Sequence, residues 1–184
     1  MTTRFATLVE LCEKSCERFA QRPLFGTKEP GGWRWIRYGE FRDRVADCRA
    51  GLSAQGVGQG DKVALVSNNR VEWAECAYAA YGLGATVVPM YEAQLPTEWE
   101  FILGDCRAKV VFAATAAIAS WLATAAPGLP ALRHVVRFDG ASNDPDSYAA
   151  LLEMGRTAPM PLREPALPFS NRLPWIGTLP TPTH

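Results

Sequence analysis

The sequence has little that would draw a protein to nucleic acid or into a membrane. Its 184 residues contain 19 basic and 19 acidic side chains, so no net charge attracts the chain to polyanions. No run reaches the ~18 uninterrupted apolar residues of a spanning helix, and the first residues lack the basic and then apolar pattern of a secretory signal. We therefore expect a cytoplasmic protein with no transmembrane segment and no nucleic-acid partner.

Histidine is scarce, and the cysteines are not paired in sequence. Neither His134 nor His184 is near an obvious nucleophile, and no Cys-x-x-Cys is present. A metal site, a disulfide framework and a Ser-His-Asp apparatus therefore have little support. We expect the five cysteines to be small apolar core residues in a reducing compartment: Cys12, Cys16, Cys48, Cys76 and Cys106.

The chain does have enough apolar residues, 48% of the total, to build one core. A capping box at Thr7 and Glu10 predicts a helix over residues 8–20, and a second helical pattern runs from 38 to 55. Between them, two half-exposed strands flank a turn at 30–32. The alternating aromatic and basic residues of 33–38 could also indicate a nucleic-acid surface, but a sheet strand needs fewer assumptions.

After Gly56 short apolar runs alternate with helical stretches, a pattern typical of βαβ crossovers over a parallel sheet. The fold class predicted is α/β, a parallel doubly wound sheet with flanking helices, preceded by a small helix and hairpin. Strands are expected at 63–66, 86–89, 109–113 and 134–138, and helices at 71–83, 97–106, 115–124 and 147–154.

The periodicity stops at Thr157, so we predict an α/β domain over residues 1–156 and a poorly ordered tail over 157–184. Too many prolines follow for a helix or a central strand. They are Pro159, Pro161, Pro165, Pro168, Pro174, Pro180 and Pro182.

Two motifs near the first parallel strand are candidate binding sites. The glycines of Gly56-Val57-Gly58-Gln59-Gly60 follow a helix and precede a strand, so a helix end and turn fit better than a dinucleotide fingerprint. At the other end of that strand, Ser67, Asn68 and Asn69 are placed where α/β sheets bind ligands, but they could equally cap the next helix. Glu72 fits a first-turn charge and Trp73 fits helix packing.

One set of segments resembles the N-terminal region of the adenylate-forming (AMP-binding) acyl-CoA synthetases, and the long-chain fatty acid–CoA ligases in particular. It consists of WIRYGEF from Trp35, GVGQGDKVALVSNNRVEW from Gly56, ATVVPMY from Ala85, and the segment 98–112 containing WEFILGDCRAKVVF. The resemblance covers roughly residues 5–138. It implies a family that uses ATP and magnesium to form an acyl-adenylate and then transfers the acyl group to coenzyme A.

The same family has a Tyr-Thr-Ser-Gly-Thr-Thr-Gly phosphate loop soon after the matched segment, and this sequence has none. Residues 170–181 lack the glycine spacing with which amides surround phosphate. The ribose-binding aspartate, the magnesium-binding carboxylate and the lid lysine of the family are also missing. The resemblance therefore implies a truncated N-terminal portion, with the tail after Met154 a candidate frame-shift product.

We accordingly expect no catalytic, cofactor-binding or metal-binding residue in this chain, and the stretch from Ser67 to Trp73 is assigned to the scaffold. The chain alone is expected to be inactive, with fatty acid, ATP and coenzyme A as partners only if the missing part is supplied. The alternative is a non-catalytic module of the same fold that binds a small molecule or a protein. A sheet cut from a larger domain would also expose apolar surface, so self-association is expected.

Overall fold

The computed structural model describes residues 5–159 as six α-helices, one short 3-10 helix (Ala126–Gly128) and six strands. The helices are α1 (Leu8–Arg18), α2 (Tyr38–Ala54), α3 (Val71–Gly82), α4 (Pro96–Cys106), α5 (Ala116–Ala125) and α6 (Tyr148–Thr157). The strands are β1 (Pro23–Glu29), β2 (Gly32–Arg37), β3 (Lys62–Val66), β4 (Thr86–Met90), β5 (Val110–Ala113) and β6 (His134–Arg137). The predicted α/β class, the N-terminal helix and the hairpin are confirmed.

The N-terminal part forms as its local signals predict. Thr7 Oγ1 accepts the Glu10 amide at 3.1 Å, so the cap of α1 is present, while the Glu10 carboxylate accepts the Ala6 amide at 2.8 Å. Strands β1 and β2 pair as an antiparallel hairpin. Ile36 is the one buried residue of β2 and packs with Phe41 of α2, which holds the hairpin against the domain.

The four remaining strands form one parallel sheet in the order β4-β3-β5-β6. The register pairs Val63 with both Val87 and Val110, and Val110 with His134. The two central strands are buried along most of their length because helices cover both faces, and such strands are continuous apolar runs. The edge strands β4 and β6 are only partly buried.

Alternate residues of the central strands supply two cores on opposite faces of the sheet. The first face carries α2, α3 and α6, and its core contains Leu65 and Phe112. The second face carries α4 and α5, and its core contains Val66 and Val111. The doubly wound arrangement predicted from the sequence is therefore present.

Helices α2 and α6 approach each other closely at two glycines. A Cβ on Gly155 would collide with the carbonyl oxygen of Asp47, and one on Gly51 would collide with that of Leu151. Only glycine allows this separation of the two backbones. Helix α6 thus packs directly on the backbone of α2 and closes the first face.

One local interpretation is wrong. The α3 N-cap is Arg70, which makes no side-chain capping bond, so Ser67, Asn68 and Asn69 do not cap that helix. Helix α4 begins at Pro96, one residue before the predicted start, because a proline at the first helical position needs no amide partner. Helix α6 extends to Thr157, and the predicted tail beyond residue 159 lies outside the described residues.

Candidate functional site

The carboxyl ends of β3 and β5 meet at the point where the chain changes from one face of the sheet to the other. Strand β3 leads into α3 on the first face, whereas β5 leads into α5 on the second. Open α/β sheets bind ligands in the crevice that such a divergence leaves. This crevice is the first place to test for a site.

The Arg70 side chain fills that crevice. Its Nη1 donates to the Ala114 carbonyl oxygen at 3.4 Å, and its guanidinium carbon lies 4.7 Å from the centre of the Phe138 ring. Its Nε donates to Glu72 Oε2 at 2.9 Å. Arg70 therefore ties together the ends of β3, β5 and β6, and the sequence analysis missed this role.

The Glu72 carboxylate balances the charge of Arg70. Partial burial by itself would raise the pKa of Glu72, but hydrogen bonds from Arg70 and from its own amide, together with the charges of Arg70 and Arg44, lower that pKa on balance. Glu72 is thus held ionised as the partner of a structural arginine. The first-turn position predicted for it is confirmed.

The three small polar residues after β3 are not brought together as ligands. Ser67 is 5% exposed and its hydroxyl donates to the neighbouring Asn68 carbonyl at 2.9 Å. Asn68 and Asn69 are exposed. Their position at the strand end is as predicted, and Ser67 and Asn69 line one small cleft that Asn68 does not line.

A small cleft of about 170 Å³ lies between the ends of β3 and β4. It is lined by Ser67, Asn69, Trp73, Pro89, Met90 and Tyr91. Trp73 also packs against the core of the first face, which confirms the helix packing predicted for it. Pockets that take a small molecule or cofactor commonly occupy 300–1,000 Å³. This cleft is too small for a nucleotide.

A buried ion pair joins the three helices of the first face. Glu75 of α3 is 0% exposed; its Oε2 accepts from Tyr148 Oη at 2.8 Å and from Arg44 Nη2 at 3.1 Å. The Arg44 Nε lies 2.6 Å from Glu75 Oε1 without the alignment of a hydrogen bond. A glutamate within the alanine-rich run of α3 was the sequence signal for this network.

Burial is the largest influence on Glu75 and raises its pKa, outweighing the opposing charge of Arg44 and the hydrogen bonds from Arg44 and Tyr148. Burial would lower the pKa of Arg44, but Glu75 raises it on balance. Perturbed carboxyl groups in clefts are candidates for catalysis. Glu75 instead is buried where α2, α3 and α6 meet, so its position assigns it to structure.

Within residues 5–159, no three side chains of the metal-ligating types come together as a site for an ion. None of the helices described there is both long and apolar enough to cross a bilayer.

Comparison with known proteins identifies the fold's family. The profile described as AMP-binding enzyme matches residues 12–167. The chain belongs to the AMP-binding enzyme family. The resemblance read from the sequence is confirmed.

The relatives of this AMP-binding chain are much longer. The long-chain-fatty-acid–CoA ligase FadD15 of Mycobacterium bovis is 33% identical over 125 residues, which are 68% of this chain and 20% of that protein. Fatty acyl-CoA synthetase B of Dictyostelium discoideum is 26% identical over 157 residues, or 82% and 23% of the two chains. The chain thus spans about a fifth of the length of these curated relatives.

Solved structures agree on the architecture. A fatty acyl-CoA synthetase of Mycobacterium tuberculosis superposes with a TM-score of 0.67 at 25% identity, over 85% of this chain and 30% of that one. The adenylation domain of a carboxylate reductase from Mycobacterium chelonae gives 0.76 at 18% identity, over 90% and 31%, which speaks for the fold alone.

Proposed function

We propose that this AMP-binding chain is the N-terminal α/β portion of a cytoplasmic long-chain fatty acid–CoA ligase, and that the 184 residues by themselves do not adenylate. The observation that carries the first part is the family match over residues 12–167, together with relatives named as long-chain-fatty-acid ligases. In the complete reaction, ATP with magnesium would activate the acid and coenzyme A would accept the acyl group.

The described residues do not fit ATP. The crevice between β3 and β5 is filled by Arg70, the cleft beside it measures about 170 Å³, and the Ser67 hydroxyl is engaged with the backbone. A larger cavity of about 580 Å³ lies between the hairpin and the residues that follow β3, and Lys28, Arg34 and Arg70 line it. Two of these cations are already paired, Arg34 with Glu29 and Arg70 with Glu72, so the cavity is not a built phosphate site. No reaction step is therefore assigned to this chain, and its role in the proposed enzyme is that of a structural scaffold.

Isothermal titration of the purified chain with ATP and magnesium, and separately with a non-hydrolysable oleoyl-adenylate analogue, tests the inactivity. We expect no binding heat from either ligand. One-to-one binding of either, or saturable pyrophosphate release from ATP and palmitate, would show that the strand ends form a working site.

A chimera tests the ligase assignment. Residues 12–159 would replace the matching segment of the M. bovis FadD15 ligase, and acyl-CoA formation from acids of several lengths would be measured. We expect a folded chimera that forms palmitoyl-CoA. A folded chimera that binds ATP but acts only on short acids would contradict the long-chain assignment.

One observation favours the second candidate, a non-catalytic module that binds a small molecule or a protein partner. Among residues 5–159, strand β4 is an edge with one unpaired side, and the exposed side chains of Tyr91, Leu95 and Phe101 follow it in the chain. Sedimentation velocity of the chain distinguishes the candidates. A stable monomer with a cooperative unfolding transition favours the independent module, whereas concentration-dependent association favours an incomplete domain.

A further inference from the structure

The outer face of the β1–β2 hairpin carries two exposed tryptophans and two exposed cations. Register places Trp33 opposite Lys28 and Trp35 opposite Gly26, and strand alternation puts Arg37 on the same side as both tryptophans. These four residues, Lys28, Trp33, Trp35 and Arg37, are called the tryptophan face. The other side of the hairpin holds Ile36 against the domain.

The two tryptophans of this face pack on each other and on the hairpin backbone and remain exposed among the described residues. Trp33 and Trp35 are 59% and 56% exposed, and their rings stack with centres 6.0 Å apart. Trp35 lies over Gly26, where a Cβ would be only 2.9 Å from the ring. Neither indole N–H nor the Lys28 ammonium has a hydrogen-bond partner among residues 5–159.

The sequence segment that contains this face is basic, although the whole chain is neutral. Residues 18–37 contain only Glu29 as an acid, and it pairs with Arg34 on the hairpin. The basic residues of the same segment are Arg18, Arg22, Lys28, Arg34 and Arg37. A negative surface would therefore be attracted to this end of the molecule even though net charge predicts no attraction.

The other exposed apolar group, Leu95 and Phe101, has the opposite surroundings. Residues 91–105 contain no basic residue, and their acids are Glu92, Glu98, Glu100 and Asp105. These two apolar surfaces are thus distinguished by charge, because the hairpin combines its aromatic rings with cations and the segment 91–105 combines its own with acids.

We propose that the tryptophan face binds the surface of an anionic lipid bilayer. Tryptophan is the side chain that concentrates at membrane interfaces, because its ring enters the acyl boundary while the indole N–H stays with the headgroups. Basic residues beside it add attraction to anionic lipid. The exposed outer side of the hairpin is available to a flat surface, whereas base stacking on these rings is hindered because one side of Trp35 is occupied by Gly26.

Docking to a membrane would bring a long-chain ligase to its substrate, and this role of the docking rests on the proposed ligase function. Each methylene of a long acyl chain favours the bilayer over water, so a long-chain acid is concentrated in membranes. An enzyme docked by this hairpin would meet its substrate there. Docking itself needs no ATP and no catalysis, so it is measured independently of the ligase assignment.

Co-sedimentation of the full 184-residue chain with vesicles tests the proposal, using phosphatidylcholine with and without phosphatidylserine. We expect binding to the anionic vesicles, weakened by salt. Trp33→Ser with Trp35→Ser should weaken it by about tenfold or more, and Lys28→Gln with Arg37→Gln by about twentyfold. The matched control, Leu95→Ser with Phe101→Ser, removes equally exposed apolar groups and should bind as the parent does.

Several results would overturn the proposal. One is no binding of the parent chain to the anionic vesicles, and another is equal loss in the control. A dimer that the tryptophan substitutions dissociate would make a second copy the occupant, and a labelled single-stranded oligonucleotide bound in preference to vesicles would make it nucleic acid. Circular dichroism melting checks that each variant is folded, and the charge variant serves if the tryptophan variant is not.

Discussion

The two faces of the parallel sheet are held by different kinds of contact. The first face combines an apolar core with the buried Glu75–Arg44–Tyr148 network and with glycine contacts between helix backbones. The second face is covered by α4 and α5 through an apolar core, in which Trp99 and Trp121 meet edge to face with centres 5.8 Å apart.

The contacts of the first face fix the positions of its helices, whereas those of the second face mainly bury apolar surface. Apolar contacts tolerate other side chains of similar volume, whereas a buried ion pair and a backbone contact accept few substitutes. The helices of the first face therefore have one tightly defined arrangement, and the second face should be more tolerant of substitution.

The largest expected effect comes from Gly155→Ala. Its Cβ would collide with the Asp47 carbonyl of α2, so we expect a loss of about 3 kcal/mol or more in the free energy of unfolding. The matched control is Gly104→Ala in α4, whose Cβ would lie at an ordinary 3.6 Å from Leu129 and should stabilise by about 0.5–1 kcal/mol. Urea denaturation measures both, and equal effects would remove the contrast between the faces.

On the second face, Leu103→Ala is expected to cost about 3 kcal/mol, because Leu103 is buried among apolar neighbours and truncation leaves a cavity. Leu103→Met keeps the volume and should cost less than about 1.5 kcal/mol. Equal losses from the two substitutions, measured by urea denaturation, would mean that this core is as specific in shape as the first face.

Helix caps give a smaller test. The buried Ser147 hydroxyl accepts the Ala150 amide at 3.0 Å and donates to the Ala141 carbonyl at 2.7 Å, so Ser147→Ala should cost about 1–2 kcal/mol. The exposed Thr115 caps α5 with one bond of 3.3 Å, and Thr115→Ala should cost about 0.5–1 kcal/mol. Thermal melting ranks the two, and a reversed order would contradict the contrast.

The smallest effect concerns pH and Glu75. Its pKa in the folded chain is raised above the ordinary 4.5, so the folded state holds this proton more tightly than the unfolded state does. The contribution of Glu75 to stability should therefore fall as pH rises from about 4.5 through the raised value, and stay constant above it.

Glu75→Gln keeps oxygen and shape but cannot ionise, so the parent should lose stability relative to this variant over that pH interval. Urea midpoints of the two proteins across pH 4 to 8 measure the difference. A parent that gains relative stability as pH rises would show that Arg44 outweighs burial.

Local pattern was enough to predict the helices and strands. An apolar run such as Val63 to Val66, flanked by helical stretches, predicts a buried strand. Gly56 has a positive φ of 81°, which is typical of the residue that ends a helix. Strand order was not predictable in this way, because nothing local to β3 says that β4 and β5 lie on either side of it.

The sequence predicted where the candidate site lies but not which side chains interact there. The sequence pattern predicted that Ser67 lies at the end of a strand. It did not predict that Arg70 contacts Ala114 and Phe138, because these residues are distant in the chain. The same holds for Glu75 and Tyr148, 73 positions apart. Long-range partners of polar side chains depend on the assembled fold, whereas strand and helix periods do not.

The position of α6 also determines the order in which the parts of a newly synthesised chain can fold. Arg156 contacts Asp47 across 109 positions, so the first face has no third helix until residues beyond 148 have left the ribosome. Until then the cores beneath α2 and α3 stay partly exposed, and contacts of such long separation form slowly. The hairpin and α1 need no such delay. During synthesis, α1 and the hairpin should therefore be folded while the apolar core of the first face is still exposed. A chaperone would have the largest apolar surface to bind at that stage.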